Sequence, residues 1–130
     1  MSKNVELIKK FYTAFKNQDK PTYLQLCDDN IQWIVMENMP NGGTHIGKKE
    51  VFENYFPSLF LQFLEFHAVT EEFLDAGDQI TVLGKYKGRT KKTKKPFESP
   101  FAHIYTIKDG KIIKFRQYTD TVKIQDILNS

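Results

Sequence analysis

Polar side chains that could bind a small molecule are concentrated near the C-terminal end of the chain, in residues 97–120. His103 is the polar residue of an apolar strand, and Gln117 and Asp120 lie near the end of the next strand. An imidazole and a carboxylate can transfer protons, and an amide can hold a substrate oxygen. These residue types, placed among apolar neighbours, predict a ligand pocket.

The same residues predict a β-hairpin whose two faces are both covered. Asp109 and Gly110 form a strong turn signal between the two strands. One face of the first strand carries Phe101, His103 and Tyr105. The other face carries Ala102, Ile104 and Thr106. A sheet with one face in water separates polar from apolar residues by alternation, and this strand does not. The polar side chains are therefore expected to be buried or to face a cavity, and antiparallel pairing places His103 nearly opposite Arg116 and Gln117.

Two helices are predicted before the first strand. Apolar residues at helical spacing, from Val5 to Phe15, indicate an amphipathic first helix. Asp19 can cap a short second helix that has Pro21 in its first turn and Cys27 on its inner face. We interpret Cys27 as a small buried apolar residue, with a reactive thiol as the alternative.

The middle of the chain predicts a strand, a loop and a third helix. Residues 31–36 carry the only tryptophan, Trp33, among strand-forming residues, and residues 37–47 contain the proline and glycines typical of a loop. A helix is predicted from Lys48 onward. Because Pro57 lies inside its apolar stripe, this helix is expected either as two pieces or as one bent helix.

Strands are then predicted at residues 66–74 and 79–88, followed by the hairpin and a short closing helix. The closing helix is expected to bury Val122, Ile127 and Leu128. Helices followed by a four-strand meander indicate an α+β arrangement, which we expect to form one domain over residues 1–130.

Composition fits a folded domain and excludes several classes of protein. The chain has 130 residues, of which 40% are hydrophobic and 14% aromatic, and its net charge is +3. It has neither a signal-peptide pattern nor an apolar run of about 18 residues, so we expect a cytoplasmic protein without a membrane partner. The sequence has no dinucleotide-binding or P-loop motif, and its histidines lack metal-ligand spacing, so neither a cofactor nor a metal is expected.

A basic segment at residues 85–95 could suggest nucleic-acid binding, because lysines near phosphates release counterions. Its first half alternates basic residues with Tyr86 and Gly88, however, as on the wet face of a strand. Tyr86 is also the only aromatic residue there for base stacking. We therefore expect a solvated strand face and loop and no nucleic-acid partner, with a site for an anionic substrate tail or polymer as the alternative.

Four segments together resemble the nuclear transport factor 2-like superfamily, and within it the SnoaL-like proteins related to ketosteroid isomerases. In chain order they are FYTAFKNQD, LCDDNIQWIV, THIGKKEVFENYF and FAHIYTIKDGKIIKFRQYTDT. The resemblance covers nearly the whole chain and implies a cystatin-like cone, in which a curved antiparallel sheet wraps around helices and encloses an apolar pocket. It also implies a homodimer packed through the sheet, which would cover the outer strand face.

The resemblance to ketosteroid isomerases does not extend to their catalytic groups. Those enzymes use a carboxylate base after the first strand, and a tyrosine and a protonated acid as oxyanion donors. The stretch at the base position begins at Trp33 and has no carboxylate before Glu37. The tyrosine position falls on Phe11, with Tyr12 beside it, and the second acid falls on His103. Steroid isomerase activity is therefore not expected.

SnoaL-like cyclases are more similar at one position, because they carry an acid/base aspartate where this chain has Asp120. The resemblance implies cofactor-free proton transfer by Asp120, with His103 polarising the substrate oxygen. Each residue also has a structural interpretation. Asp120 could cap the closing helix, and His103 could be a hydrogen-bonded core residue.

The predicted function is binding of a small apolar or aromatic molecule in the pocket, as an isomerase, cyclase, lyase or hydrolase. The alternative is a non-catalytic ligand-binding or protein-interaction module of the same fold. Besides Phe11, the residues predicted to bind the substrate are Tyr12, Trp33, Phe56, Phe60, Tyr86, Phe101, Tyr105, Phe115 and Gln117.

Overall fold

The computed structural model describes residues 2–130, which form helices packed on one sheet. The α-helices are α1 (Lys3–Lys16), α2 (Lys20–Gln25), α3 (Phe56–Phe60) and α4 (Thr121–Asn129), and a π-helical segment, Glu50–Tyr55, leads directly into α3. The strands are β1 (Cys27–Val35), β2 (Gly43–Ile46), β3 (Phe63–Asp75), β4 (Gln79–Thr90), β5 (Pro96–Lys108) and β6 (Lys111–Thr119). The predicted α+β class is confirmed.

The strands form one sheet in the order β2-β1-β6-β5-β4-β3. Strands β3 to β6 are the predicted antiparallel meander, and Asp109 and Gly110 form the tight turn between β5 and β6. The sheet is not antiparallel throughout, because β1 pairs with β6 in parallel. Most of the chain separates these two strands, so no short turn imposes an antiparallel direction.

Two predicted boundaries between α2 and β2 were wrong. Cys27 does not lie on the second helix but begins β1, where it pairs with Ile112 and is buried. The predicted loop at residues 37–47 contains strand β2, in which Thr44 and His45 pair with β1. Both errors concern short segments whose structure depends on a neighbouring strand rather than on their own residues.

Pro57 marks a change of helix type rather than a gap. The π-helical segment continues into α3, and Pro57 lies in the first turn of α3. The missing proline N–H removes one regular helical hydrogen bond, and it does so where the π-helical segment already interrupts the α-helical bonding pattern. Val51, Tyr55 and Leu59 form the buried side of this composite helix.

Helix α4 buries a different residue from those predicted. Ile124 is fully buried, whereas Val122 is 67% exposed and Leu128 is partly buried against the core. Asp120 is the N-cap, so the helix begins at Thr121. This start fixes the helical phase and turns Val122 toward solvent.

Two glycines on the concave face of β4 allow the sheet to curve. A Cβ atom at Gly84 would overlap the carbonyl oxygen of Val69, and one at Gly88 would overlap that of Glu65. Strand β3 therefore approaches β4 more closely than a side chain would permit. Tyr86, between the two glycines, projects from the same concave face.

Helix α1 lies against this concave face. Val5, Ile8, Phe11 and Ala14 form its buried stripe. The Phe11 ring lies 6.2 Å from Trp33 and 6.1 Å from Tyr105, between centroids. The next residue, Tyr12, is held beside the centre of β5 by this packing.

The strand half of the basic segment lies beside acidic residues on the outer face of β4. The ion pairs are Lys85–Glu71 at 4.0 Å, Lys87–Glu98 at 3.8 Å and Arg89–Glu65 at 3.9 Å. These carboxylates reduce the local positive charge, as expected of a solvated strand face. In the part of the chain that the structure describes, no helix is long and apolar enough to cross a membrane.

Candidate functional site

A cavity of about 1050 Å³ lies between α1, α3 and the concave face of the sheet. Its walls are mainly aromatic. The predicted site residues that line it are Phe11, Tyr12, Trp33, Phe56, Phe60, Tyr86, His103, Tyr105, Phe115 and Gln117.

His103 is held at both ring nitrogens by tyrosine hydroxyls. The Tyr12 Oη lies 2.6 Å from Nδ1, and the Tyr86 Oη lies 2.5 Å from Nε2. Gln117 donates from Nε2 to the Tyr86 Oη over 2.7 Å. Four side chains from α1, β4, β5 and β6 thus form one hydrogen-bonded group, which we call the Tyr12–Gln117 chain.

Strand register brings the members of this chain together. His103 pairs directly with Gln117 across β5 and β6, close to the predicted position. An irregularity between Thr106 and Ile107 shifts the pairing on the far side of it. The shift places Gln117, rather than Arg116, opposite the imidazole.

Phe101 supports His103 from within the core instead of lining the cavity. Its ring stacks on the imidazole at 3.9 Å and 14°. Phe101 is buried and is not among the cavity-lining residues. Phe101 is on the predicted face of β5, where its ring contacts Tyr86 and His103, which do line the cavity.

The Tyr12–Gln117 chain is uncharged near neutral pH. Burial lowers the pKa of His103 to about 3, so its imidazole is neutral. Burial also raises the pKa of Tyr12, Tyr86 and Tyr105 well above that of a free phenol. A neutral imidazole donates from one nitrogen and accepts at the other, which suits it to bridge two hydroxyls.

Asp120 is the N-cap of α4. Its carboxylate accepts a hydrogen bond from the Lys123 backbone N–H at 3.3 Å, and it is not among the residues that line the cavity. Asp120 does not belong to the strand, because β6 ends at Thr119 and the chain turns there into α4. Asp120 therefore caps α4, and its catalytic role stays a prediction.

Carboxylates and metal ligands are not assembled in the cavity. Among its lining residues, all within the described range, Glu65 is the only acid, and it pairs with Arg89 on the outer face of the sheet. Across residues 2–130 no group of three or more potential ligands could hold a metal ion.

Several apolar wall residues were not predicted from the sequence. They are Phe15, Tyr55, Leu59, Phe63 and Phe66. Most belong to helical stripes or strand faces that were recognised as apolar. Periodicity identifies such a face without showing which part of it borders a cavity.

Comparison with known proteins identifies the same fold over the whole chain. The model of the SnoaL-like domain matches residues 8–115. A nuclear transport factor 2-like protein of Burkholderia thailandensis E264 is 27% identical, with 98% of both chains covered and a TM-score of 0.90. One from Burkholderia pseudomallei K96243 is 23% identical, with both chains covered completely and a TM-score of 0.91.

TerC, crystallised with polyporic acid, is also similar. It is 24% identical, with 99% of this chain and 100% of TerC covered and a TM-score of 0.90. A search of curated proteins finds no match. The predicted fold and family resemblance are confirmed.

We expect the buried imidazole to make the free energy of unfolding depend on pH. Unfolded His103 binds a proton below its ordinary pKa of 6.5, whereas the folded residue stays neutral down to about 3. Stability should therefore fall as pH decreases through this window, by up to about 1.4 kcal/mol per pH unit from this residue. Urea unfolding of His103→Gln between about pH 4 and 6.5 should lack this contribution.

His67 provides the matched control, because its side chain is exposed. His67→Gln should retain the wild-type dependence of stability on pH. Equal dependence in wild type and His103→Gln would show that His103 does not remain neutral on folding.

Replacing Asp120 should separate capping from proton transfer. Asp120→Ala should lower the free energy of unfolding by about 0.5–2 kcal/mol, whereas Asp120→Asn should keep it because asparagine also caps helices. Asp126→Ala, at an exposed position of α4, should change stability by less than about 0.5 kcal/mol. Loss of turnover in Asp120→Asn at unchanged stability would restore the catalytic assignment.

Proposed function

Because the chain belongs to the SnoaL-like domain family, we propose that it binds a small, uncharged, largely apolar or aromatic molecule in the cavity. The observation that carries this proposal is the neutral Tyr12–Gln117 chain buried among aromatic rings. The Tyr12–Gln117 chain can orient a polar substituent of the ligand, while the aromatic rings contact the rest of the ligand.

An uncharged ligand is favoured by the electrostatics of the walls. His103 and the tyrosines are neutral, and Glu65 is engaged on the outer face. A charged group in the depth of the cavity would lose its hydration without gaining an opposite charge. A neutral molecule avoids this cost.

An aromatic ligand is favoured by ring contacts. Trp33 stacks on Phe115 at 3.8 Å, and Phe56 lies 5.5 Å from Trp33, between ring centroids. Flat walls of this kind bury flat ligands with little empty space. TerC, a structural relative, was crystallised with polyporic acid.

A second candidate is cofactor-free isomerase or cyclase activity on the same ligand class. It is favoured by the neutral imidazole, which has one donor and one acceptor nitrogen in contact with tyrosine hydroxyls. Because both nitrogens are hydrogen-bonded, the imidazole would polarise a substrate oxygen or pass a proton through one of these tyrosine hydroxyls. We rank binding without catalysis above this activity, because Asp120 is not among the residues that line the cavity.

The binding proposal can be tested with two probes of the same shape and different charge. Trp33 is the only tryptophan and lines the cavity, so its indole N–H resonance reports on this site. Neutral 2-acetonaphthone should shift that resonance in a saturable way. The anion 2-naphthoate should bind at least about tenfold more weakly, because the lysines that line the cavity, Lys16 and Lys87, are exposed, and a carboxylate in its depth would be buried beside neutral groups.

A cavity-filling variant completes the test. Ala68 lines the cavity opposite Tyr86, so Ala68→Phe should weaken 2-acetonaphthone binding. Ala76→Phe, in the exposed turn before β4, is the control and should bind like wild type. Tighter binding of 2-naphthoate, or unchanged binding by Ala68→Phe, would contradict the proposal.

We also propose that two copies associate through the outer face of the sheet, as the family resemblance implies. Leu74 and Tyr118 are largely exposed there, near the partly covered Leu83 and Ile104. On the same face, Arg116 Nε is buried without a partner among residues 2–130. A second copy would cover the apolar residues and could supply an acceptor.

Light scattering tests this association. The expected result is about twice the chain mass of 15.2 kDa. Ile104→Lys should shift the protein toward monomer, because a charge would be buried at the centre of the interface. Thr44→Lys, at an exposed position of β2, should leave the mass unchanged. A monomeric wild type at micromolar concentration would exclude the interface.

A further inference from the structure

The proton positions in the Tyr12–Gln117 chain follow from counting donors. The Tyr86 Oη accepts a hydrogen bond from Gln117 Nε2, and its own single proton is left for His103 Nε2 at 2.5 Å. His103 therefore accepts at Nε2. Because the imidazole is neutral, its proton is on Nδ1 and is donated to the Tyr12 Oη at 2.6 Å.

The Tyr12 end of this hydrogen-bonded group lies beside another tyrosine, Tyr105, whose ring centroid is 5.8 Å from that of Tyr12. Because the Tyr12 Oη accepts from His103, its own proton is free for another acceptor. Donation thus proceeds in one direction, from Gln117 through Tyr86 and His103 to Tyr12. The tautomer of His103 and the orientation of the Gln117 amide determine each other.

At the Gln117 end of the Tyr12–Gln117 chain, the amide oxygen is an unused hydrogen-bond acceptor. Gln117 Oε1 is buried and receives no hydrogen bond from any residue in the described range 2–130. Gln117 as a residue is only 5% exposed, and it lines the cavity. A buried acceptor without a donor is destabilising, so a molecule that donates to Oε1 gains a hydrogen bond that the protein does not supply.

We propose that Gln117 Oε1 is the specificity-determining group of the cavity and accepts a hydrogen bond from a hydroxyl group of the ligand. The ligand class is an uncharged aromatic molecule that carries a phenolic or enolic hydroxyl. This inference rests on the proposed binding function and deepens it. A protonated amine is a poorer match, because its charge would have no carboxylate partner in the cavity.

Three probes with one ring system isolate the hydrogen bond. 2-Naphthol has a hydroxyl donor, 2-methoxynaphthalene has an acceptor only, and naphthalene has neither. At neutral pH, titrations followed at the Trp33 indole resonance should show 2-naphthol binding about tenfold more tightly than 2-methoxynaphthalene. Naphthalene should bind like the methyl ether or more weakly.

Gln117→Leu keeps the approximate size of the side chain and removes its oxygen. In this variant the preference for 2-naphthol should disappear, while naphthalene binding is retained. The matched control is Gln32→Leu on β1, where the glutamine is exposed, and it should keep the wild-type preference. Should Gln117→Leu fail to fold, the wild-type comparison of 2-naphthol with its methyl ether decides alone.

The possible outcomes separate this inference from the proposed function. Equal wild-type affinities for 2-naphthol and its methyl ether would overturn the inference. So would a preference for the ether, which would mean that the amide presents its N–H to the cavity, or a preference for 2-naphthol that persists in Gln117→Leu. If none of the three probes binds to wild type or Gln32→Leu, the binding function itself fails, and the inference fails with it.

Discussion

The site depends on keeping an uncharged imidazole buried between two tyrosine hydroxyls. His103 lies where no carboxylate stabilises its protonated form, and burial therefore favours the neutral form. Its two nitrogens then have opposite hydrogen-bonding roles, and each neighbouring hydroxyl must adopt the complementary role. One proton position on one ring thereby orders polar groups from four elements of the fold.

The surrounding structure can be understood as the means of holding these groups in place. Phe11 packs into the aromatic core and fixes the rotation of α1, so Tyr12 reaches Nδ1 of His103. The missing side chains at Gly84 and Gly88 let β3 approach β4, and Tyr86 projects between them toward Nε2. Helix α1 thus presents the Tyr12 hydroxyl to His103, and strand β4 presents the Tyr86 hydroxyl.

Much of this arrangement was predictable because it depends on local sequence. The turn before Lys111 and the alternation around His103 identified the hairpin, and its register placed Gln117 correctly to within one residue. Asp120 was misplaced because the end of a strand depends on the following helix. Cys27 was assigned to the wrong element because its partner, Ile112, is far away in sequence. The direction of donation in the Tyr12–Gln117 chain depends on which donors and acceptors meet in three dimensions, and no pattern of residue types specifies a histidine tautomer.

The parallel contact between β1 and β6 has a consequence for how the molecule assembles. The Trp33 ring on β1 stacks on Phe115 of β6, and six of the nine remaining elements lie between these strands in sequence. This wall does not form from a local segment, because the long connection between β1 and β6 must close before the two rings meet. During synthesis the meander from β3 onward can begin to pair while β1 still lacks its neighbour. We therefore expect the aromatic cavity to form late in folding, when the first strand of the chain docks beside the last one.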